Sequence, residues 1–169
     1  MKKIILFISI IIVLTGCGNL MNTPTKQVEE LFSKYQSYDN DIKNELDSLL
    51  DKETLTDSQK NEYRDIIKNQ YKNLTYTIKD EKVDGNSAIV TTEIEVLDFK
   101  KTVDKLDDEY STKTDVTTND YIDEKLKRLK DVKDKIKYTL EIEVNKDEIG
   151  YSPSAYLMQR FSFSSTSNS

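Results

Sequence analysis

Cys17 is the one thiol in a chain of 169 residues, and the lack of any histidine limits what that thiol can do. The thiolate is the reactive form of cysteine, and enzymes generate it with a neighbouring imidazole or cation. Without histidine, a Cys-His or Ser-His-Asp arrangement has no base that titrates near neutrality. Zinc centres are normally built from His and Cys ligands, so a lone Cys leaves no metal site of that kind and no internal disulfide. What remains for an isolated thiol is covalent modification of its sulfur. The rest of the chain must work with 31 acidic residues, 25 basic residues and 10 tyrosines.

The residues ahead of Cys17 indicate which modification. Met1-Lys2-Lys3 is a short positive start, followed by an apolar run from Ile4 to Leu14. As a helix that run is roughly 16 Å long, against about 30 Å for a bilayer core. A charged start and a short apolar run form the pattern of an export signal rather than of a spanning helix. The run ends in Leu14-Thr15-Gly16-Cys17. This tetrapeptide resembles the lipobox of bacterial lipoproteins. The resemblance implies a diacylglycerol thioether on Cys17 and cleavage between Gly16 and Cys17. Residues 1–16 are then a signal peptide, and 17–22 a lipidated tether on the extracytoplasmic face of the cell membrane. Acyl chains contribute about 0.8 kcal/mol per buried methylene, and two chains anchor stably where one is marginal. The thioether also removes a free thiol from an oxidising compartment.

Loss of residues 1–16 takes away Lys2 and Lys3 and no acid, leaving 23 basic and 31 acidic side chains, a net charge of −8. That balance argues against nucleic acid as a partner. Three clusters in the remaining chain invite a chemical reading. Asp39-Asn40-Asp41 with Glu45 has the look of a calcium loop, yet Asn44 and Leu50 stand where an EF-hand needs Gly and Glu. A helix cap explains the same residues, and no metal or other cofactor is expected. Lys125, Lys127, Arg128, Lys130, Lys133, Lys135 and Lys137 stand against Asp131 and Asp134, a local excess of five positive charges. They suit either an anionic surface or the solvated side of a helix and strand, and the regular apolar stripe between them favours the second. Tyr35, Tyr63, Tyr71, Tyr76 and Tyr138 fall on apolar stripes. A tyrosine beside a carboxylate can serve as acid or oxyanion donor in an apolar pocket, but core packing is the simpler account.

The elements that position these groups follow from periodicity. Thr23-Pro24-Thr25 opens a helix with Pro in its first turn, and Val28, Leu31, Phe32 and Tyr35 form one apolar stripe. A second helix spans about Asp39 to Lys52, with Ile42, Leu46, Leu49 and Leu50 inward and Asp39 or Asn40 as cap. Thr56-Asp57-Ser58-Gln59 reads as a capping box for a third helix carrying Tyr63, Ile66, Ile67 and Tyr71. The period then changes from 3.6 to 2. Residues 73–84 and 87–98 make a hairpin about Asp84-Gly85-Asn86. Val103, Leu106 and Tyr110 extend a helix, and Ser111 to Thr118 reads as loop. A further helix capped by Thr118 or Asn119 runs to about Lys133, ahead of a strand over 135–146. Residues 149–169 hold one charge, Arg160, and a run of serines with no sustained period. They read as a disordered or degenerate tail.

Helices followed by long antiparallel strands with alternating faces predict an α+β fold, helices packed on a curved antiparallel sheet. The segment from Tyr71 to Val90, a helix running into Leu74-Thr75-Tyr76-Thr77-Ile78, a turn at Gly85 and Ala88-Ile89-Val90, is similar to the start of the sheet in NTF2-like (cystatin-like) domains of small Gram-positive lipoproteins. That resemblance implies a cup-shaped domain over 23–148 with space for a ligand between sheet and helices. It leaves three expectations for function. The first is a non-enzymatic binding module for a small ligand or surface protein. The second is a small-molecule enzyme with a Tyr/carboxylate pocket, and the third an inhibitor or immunity lipoprotein acting on an exported protein. The strand over 135–146 is left with a bare edge.

Overall fold

The computed structural model describes residues 22–146 and the backbone of 151–153. Its order is α1 (Pro24–Ser37), α2 (Asn40–Leu50), α3 (Asp57–Asn73), β1 (Thr75–Asp84), β2 (Ser87–Leu97), α4 (Phe99–Tyr110), α5 (Thr118–Lys130), β3 (Lys135–Lys146) and β4 (Tyr151–Pro153). The class is α+β. The strands lie in the order β1-β2-β3-β4 and pair antiparallel.

Each helix starts where a side chain satisfies an orphan N–H group. Thr23 accepts from Lys26 N ahead of α1, and Asp39 from Ile42 N ahead of α2. Thr56 and Gln59 close the expected capping box on α3. For α5 the cap is Thr117 rather than the expected Thr118 or Asn119, because Asp120 completes a second capping box with it. That helix stops at Lys130, earlier than the sequence suggested.

α1 lies along the sheet, antiparallel to β1. Thr25 at its start donates from N and Oγ1 to Glu81 at 2.9 and 2.6 Å, and Gln36 near its end donates to the Leu74 carbonyl at 2.9 Å. Fourteen helical residues rise about 21 Å, which matches the seven strand steps from Leu74 to Glu81. The pairing of β1 with β2 slips between Ile78 and Asp80. This bulge reverses the parity of β1, so that Glu81 shares a face with buried Val90 and reaches α1.

Two cores meet at α1. On the sheet side, Val28 and Phe32 pack with Leu74, Val90, Ile94, Val96, Ile142 and Val144. On the helix side, Leu31 and Tyr35 pack with residues of α2, α3, α5 and the Leu97-Phe99 corner. Both clusters are built from buried side chains that meet along α1. Phe32 stacks on Tyr76 at 4.6 Å between ring centroids, and Tyr35 meets Tyr71 edge-on at 4.9 Å.

Thr92 is out of place by this logic. It sits fully buried on the inner face of β2 between Ile78 and Leu140, and its hydroxyl has no hydrogen-bond partner. A buried unsatisfied hydroxyl costs about 1–3 kcal/mol, and an apolar group of the same shape removes that cost. Thr92→Val is expected to raise stability by about 1 kcal/mol, seen as a higher midpoint in urea with an unchanged slope. A lower midpoint would show that the hydroxyl is satisfied in solution.

Two expectations need correction. Tyr138 was placed on a buried face, and it does share the inner face with Ile94, but it is 39% exposed. It lies toward the end of β3 where β4 does not reach: β4 pairs only with Val144 to Lys146. The tail was expected to lack structure from residue 149, yet Tyr151–Pro153 form that strand. The rest of the expected tail lies outside the described residues.

Candidate functional site

The modification site at Cys17, with Gly16 before it, lies outside the described residues. Its consequence for the domain is geometric. α1 begins seven residues after Cys17, and seven residues span at most about 25 Å. The tether joins at the α1 N-terminus, which the Thr25–Glu81 bonds place toward the Gly85 turn. From that turn β2 runs eleven residues, about 35 Å, to the opposite end of the sheet.

The three clusters weighed from sequence resolve differently. Asp39 caps α2, and Asp41 pairs with Lys34 at 3.1 Å, so the calcium-like run is a helix start. No group of three or more metal-capable side chains occurs among the described residues. The basic segment is spent on ion pairs. Arg128 donates to Glu109 at 2.6 and 3.0 Å and to Glu124 at 2.8 Å. Lys127 meets Glu124, Lys130 meets Glu62, Lys135 meets Glu95 and Lys137 meets Glu93. Burial pushes the Lys125 ammonium below its ordinary range. The solvated-face account therefore holds for most of the segment, and of its basic residues Lys133 lines the cleft described below.

The tyrosines come closest to a chemical site. Tyr35 and Tyr71 are buried together, and Glu45 on α2 lies near enough for its charge to oppose ionisation of Tyr35. Burial chiefly, then Tyr71 and Glu45, holds the Tyr35 hydroxyl far above its ordinary range. Burial also raises the Glu45 carboxyl. This is a Tyr/carboxylate neighbourhood, but the tyrosines sit in packed core. It has a thermodynamic signature. A raised carboxylate pKa means that the folded state binds more protons than the unfolded one. Stability then falls as pH rises from the ordinary carboxylate value through the raised one. Glu45→Gln, which cannot ionise, is expected to melt higher than the parent at pH 7, with the difference vanishing by about pH 4. An equal or larger difference at acid pH would rule out this origin.

An open cleft lies elsewhere. It measures about 270 Å³ and lies at the end of the sheet remote from the tether, bordered by Asp98, Lys101, Lys105, Asp131, Lys133 and Asp134. Two junctions between elements form it, one between β2 and α4 and the other between α5 and β3. Asp98 N donates to the Asp134 carbonyl at 2.8 Å, which ties the two together. The Asp98 carboxylate caps α4 by accepting from Lys101 N at 3.0 Å. The Lys101 ammonium donates to Asp134 at 2.7 Å. That bond raises Lys101 and, with the charge of Lys105, holds the Asp134 carboxyl low. Val132 is part of the floor. Three cations and three carboxylates make a polar, charge-balanced surface suited to a ligand carrying both signs.

Sequence reading singled out Asp131, Lys133 and Asp134 only as part of the basic segment, and it missed Asp98, Lys101 and Lys105. The usable signal was that two adjacent element boundaries both carry Asp and Lys.

Residues 1–17 match the family pattern of the prokaryotic membrane lipoprotein lipid attachment site. The chain therefore carries a lipoprotein lipid attachment site that ends at Cys17, which implies a lipid anchor in the membrane. Among the described residues no helix is long and apolar enough to cross a membrane. No curated protein sequence matches the lipoprotein. A solved structure of a candidate lipoprotein, YcdA of Bacillus subtilis, is similar over 70% of this chain and 44% of its own, at 17% identity and a TM-score of 0.43. The lipoprotein thus spans less than half the length of that protein.

Proposed function

We propose that the lipoprotein is a non-enzymatic binding module, held on the extracytoplasmic face by lipid on Cys17 and using the cleft remote from its tether to engage a polar surface ligand or protein. The observation that carries this is the location of open space. Tyr35 and Tyr71 are buried in the helix-side core, with the partly buried Glu45 beside them. The cleft at Asp98, Lys101 and Asp134 is open and charged. A module tethered at one end of a sheet about 35 Å long can present its other end away from the bilayer. The finer fold reading, an NTF2-like domain, rests on the helix-to-hairpin segment from Tyr71 to Val90 and on α1 lying along the sheet.

The test places a photo-crosslinking residue at Thr102, which lines the cleft, or at Thr77 on the outer face of the sheet. With the full lipoprotein in intact cells, a discrete adduct is expected from Thr102 and not from Thr77. Lys101→Glu with Lys105→Glu should abolish it. Equal adducts from both positions, or an adduct indifferent to the lysines, would refute the cleft as the binding surface. Digestion of the lipoprotein by protease added to intact cells reports its face. Protection until the cells are lysed would refute an extracytoplasmic domain.

A further inference from the structure

The cleft at the far end of the sheet carries six charged side chains, and they are not equally free. Lys101 is held by Asp134 at 2.7 Å, and the Asp98 carboxylate accepts from Lys101 N at 3.0 Å. With the backbone bond from Asp98 to Asp134, these contacts tie α4 to the α5–β3 junction. Val132 is buried with Leu97 and Phe99 in the helix-side core and gives the cleft a fixed floor. The side chains of Lys105, Asp131 and Lys133 remain. All three are exposed, all three line the cleft, and none makes a hydrogen bond or ion pair among the described residues.

Their placement runs against what the helices favour. Acids stabilise a helix N-terminus and bases a C-terminus. Beyond its N-cap Asp98, α4 has no acid in its first turn, and it presents Lys101 and Lys105 to the cleft. α5 ends on Asp131. The positive end of one helix and the negative end of the other thus open on one cleft, each with a side chain of its own sign. A local rule broken at exposed positions marks a place kept for binding.

A ligand that fits must carry both signs close together. A simple anion is drawn to Lys105 and Lys133 but also faces Asp131, and a simple cation meets the reverse. The volume of about 270 Å³ falls just under the roughly 300–1,000 Å³ of pockets that enclose a whole small molecule. The cleft therefore takes a small ligand or the end of a larger one. Headgroups of the anchoring bilayer are the wrong source, because the cleft opens about 35 Å along the sheet from the tethered end.

We propose that the cleft recognises a short zwitterionic group, a primary ammonium directed to Asp131 and a carboxylate directed to Lys105 and Lys133, as a free amino acid or dipeptide presents them. This rests on the reading of the cleft as the binding surface and adds the class of ligand. Recognition works through exposed ion pairs, so each sign contributes a modest factor and added salt weakens binding.

The probe is glycylglycine. N-acetylglycylglycine keeps only its carboxylate, and glycylglycinamide keeps only its ammonium. Each is titrated into the full lipoprotein in nanodiscs, with backbone amide chemical shifts as the readout. Glycylglycine is expected to shift amides in 98–105 and 131–134 and to bind roughly threefold or more tighter than either analogue. Asp131→Asn should erase its advantage over N-acetylglycylglycine. Lys105→Gln with Lys133→Gln should erase its advantage over glycylglycinamide. Both variants change exposed side chains and should melt with the parent. Equal affinity for glycylglycine and either analogue, or no shift at the cleft residues, overturns the proposal. The Thr102 photo-crosslink separates that failure from failure of the cleft itself. A lysine-dependent adduct that persists in excess glycylglycine means that the cleft binds another class of ligand, so the proposal falls and the cleft reading stands. Loss of the adduct in glycylglycine but not in glycylglycinamide supports the proposal. Without any Thr102 adduct the cleft reading fails, and the proposal with it.

Discussion

Replacing Cys17 by serine is expected to abolish incorporation of labelled fatty acid and to leave the protein at precursor size. The serine oxygen is a far poorer nucleophile than a thiolate, so the thioether does not form. In the lipoprotein pathway that the 1–17 match implies, cleavage at Gly16 follows lipid attachment. The parent should carry label, migrate faster by the loss of residues 1–16 and sediment with membranes. The loss of label is all-or-none because Cys17 is the one thiol in the sequence. The apolar run Ile4–Leu14 is too short for a bilayer core of about 30 Å, and no membrane-crossing helix occurs among the described residues. Two acyl chains hold stably at about 0.8 kcal/mol per methylene. Labelled, full-speed processing of Cys17→Ser would refute the assignment of the anchor. Gly16→Leu offers a milder check: a bulky residue at the cleavage site should slow processing while leaving the label in place.

The helices were legible in sequence because each is amphipathic and carries its own cap. Val28, Leu31, Phe32 and Tyr35 recur at helical spacing and are all buried, and Thr56 and Gln59 form the capping box they spell. The β1–β2 hairpin was legible for the matching reason, a change to period two around Gly85 at φ 59°. What failed to show was relational. Tyr138 obeys the inward parity, but only the reach of β4 decides whether an inward residue is covered. The cleft was invisible for a similar reason. Asp98 and Asp134 are 36 positions apart, and the backbone bond that joins them at 2.8 Å is a product of tertiary structure. The solvated face favoured for the basic segment holds for most of it, although its local excess of charge was overstated. Its partners Glu62, Glu93, Glu95 and Glu109 lie far from it in sequence, so one-dimensional counting saw charge that the fold neutralises.

Phe32→Ala is expected to be the most damaging single change in the folded domain. Phe32 is fully buried in the sheet-side core and stacks on Tyr76. Removing a buried Phe side chain costs about 3–5 kcal/mol through lost transfer energy and the cavity left behind. Domains of this kind hold only about 5–15 kcal/mol in total, so the melting midpoint should fall by roughly 10–20 °C. Phe32→Leu, which keeps most of the volume, should cost about 1.5 kcal/mol or less. The diagnostic part of the result is its shape. α1 supplies Phe32 to one core and Tyr35, one turn on, to the other. A defect beside the sheet therefore loosens the helix that the α2–α3–α5 side also needs. Melts of the secreted form, followed by far-ultraviolet circular dichroism and by tyrosine fluorescence, should still coincide in one transition, moved down as a whole. Two separated transitions, with the helix half at its parental midpoint, would mean that α1 can release the sheet while keeping Tyr35 against Tyr71. The cores would then be independent units, and the coupling assigned here to α1 would be wrong.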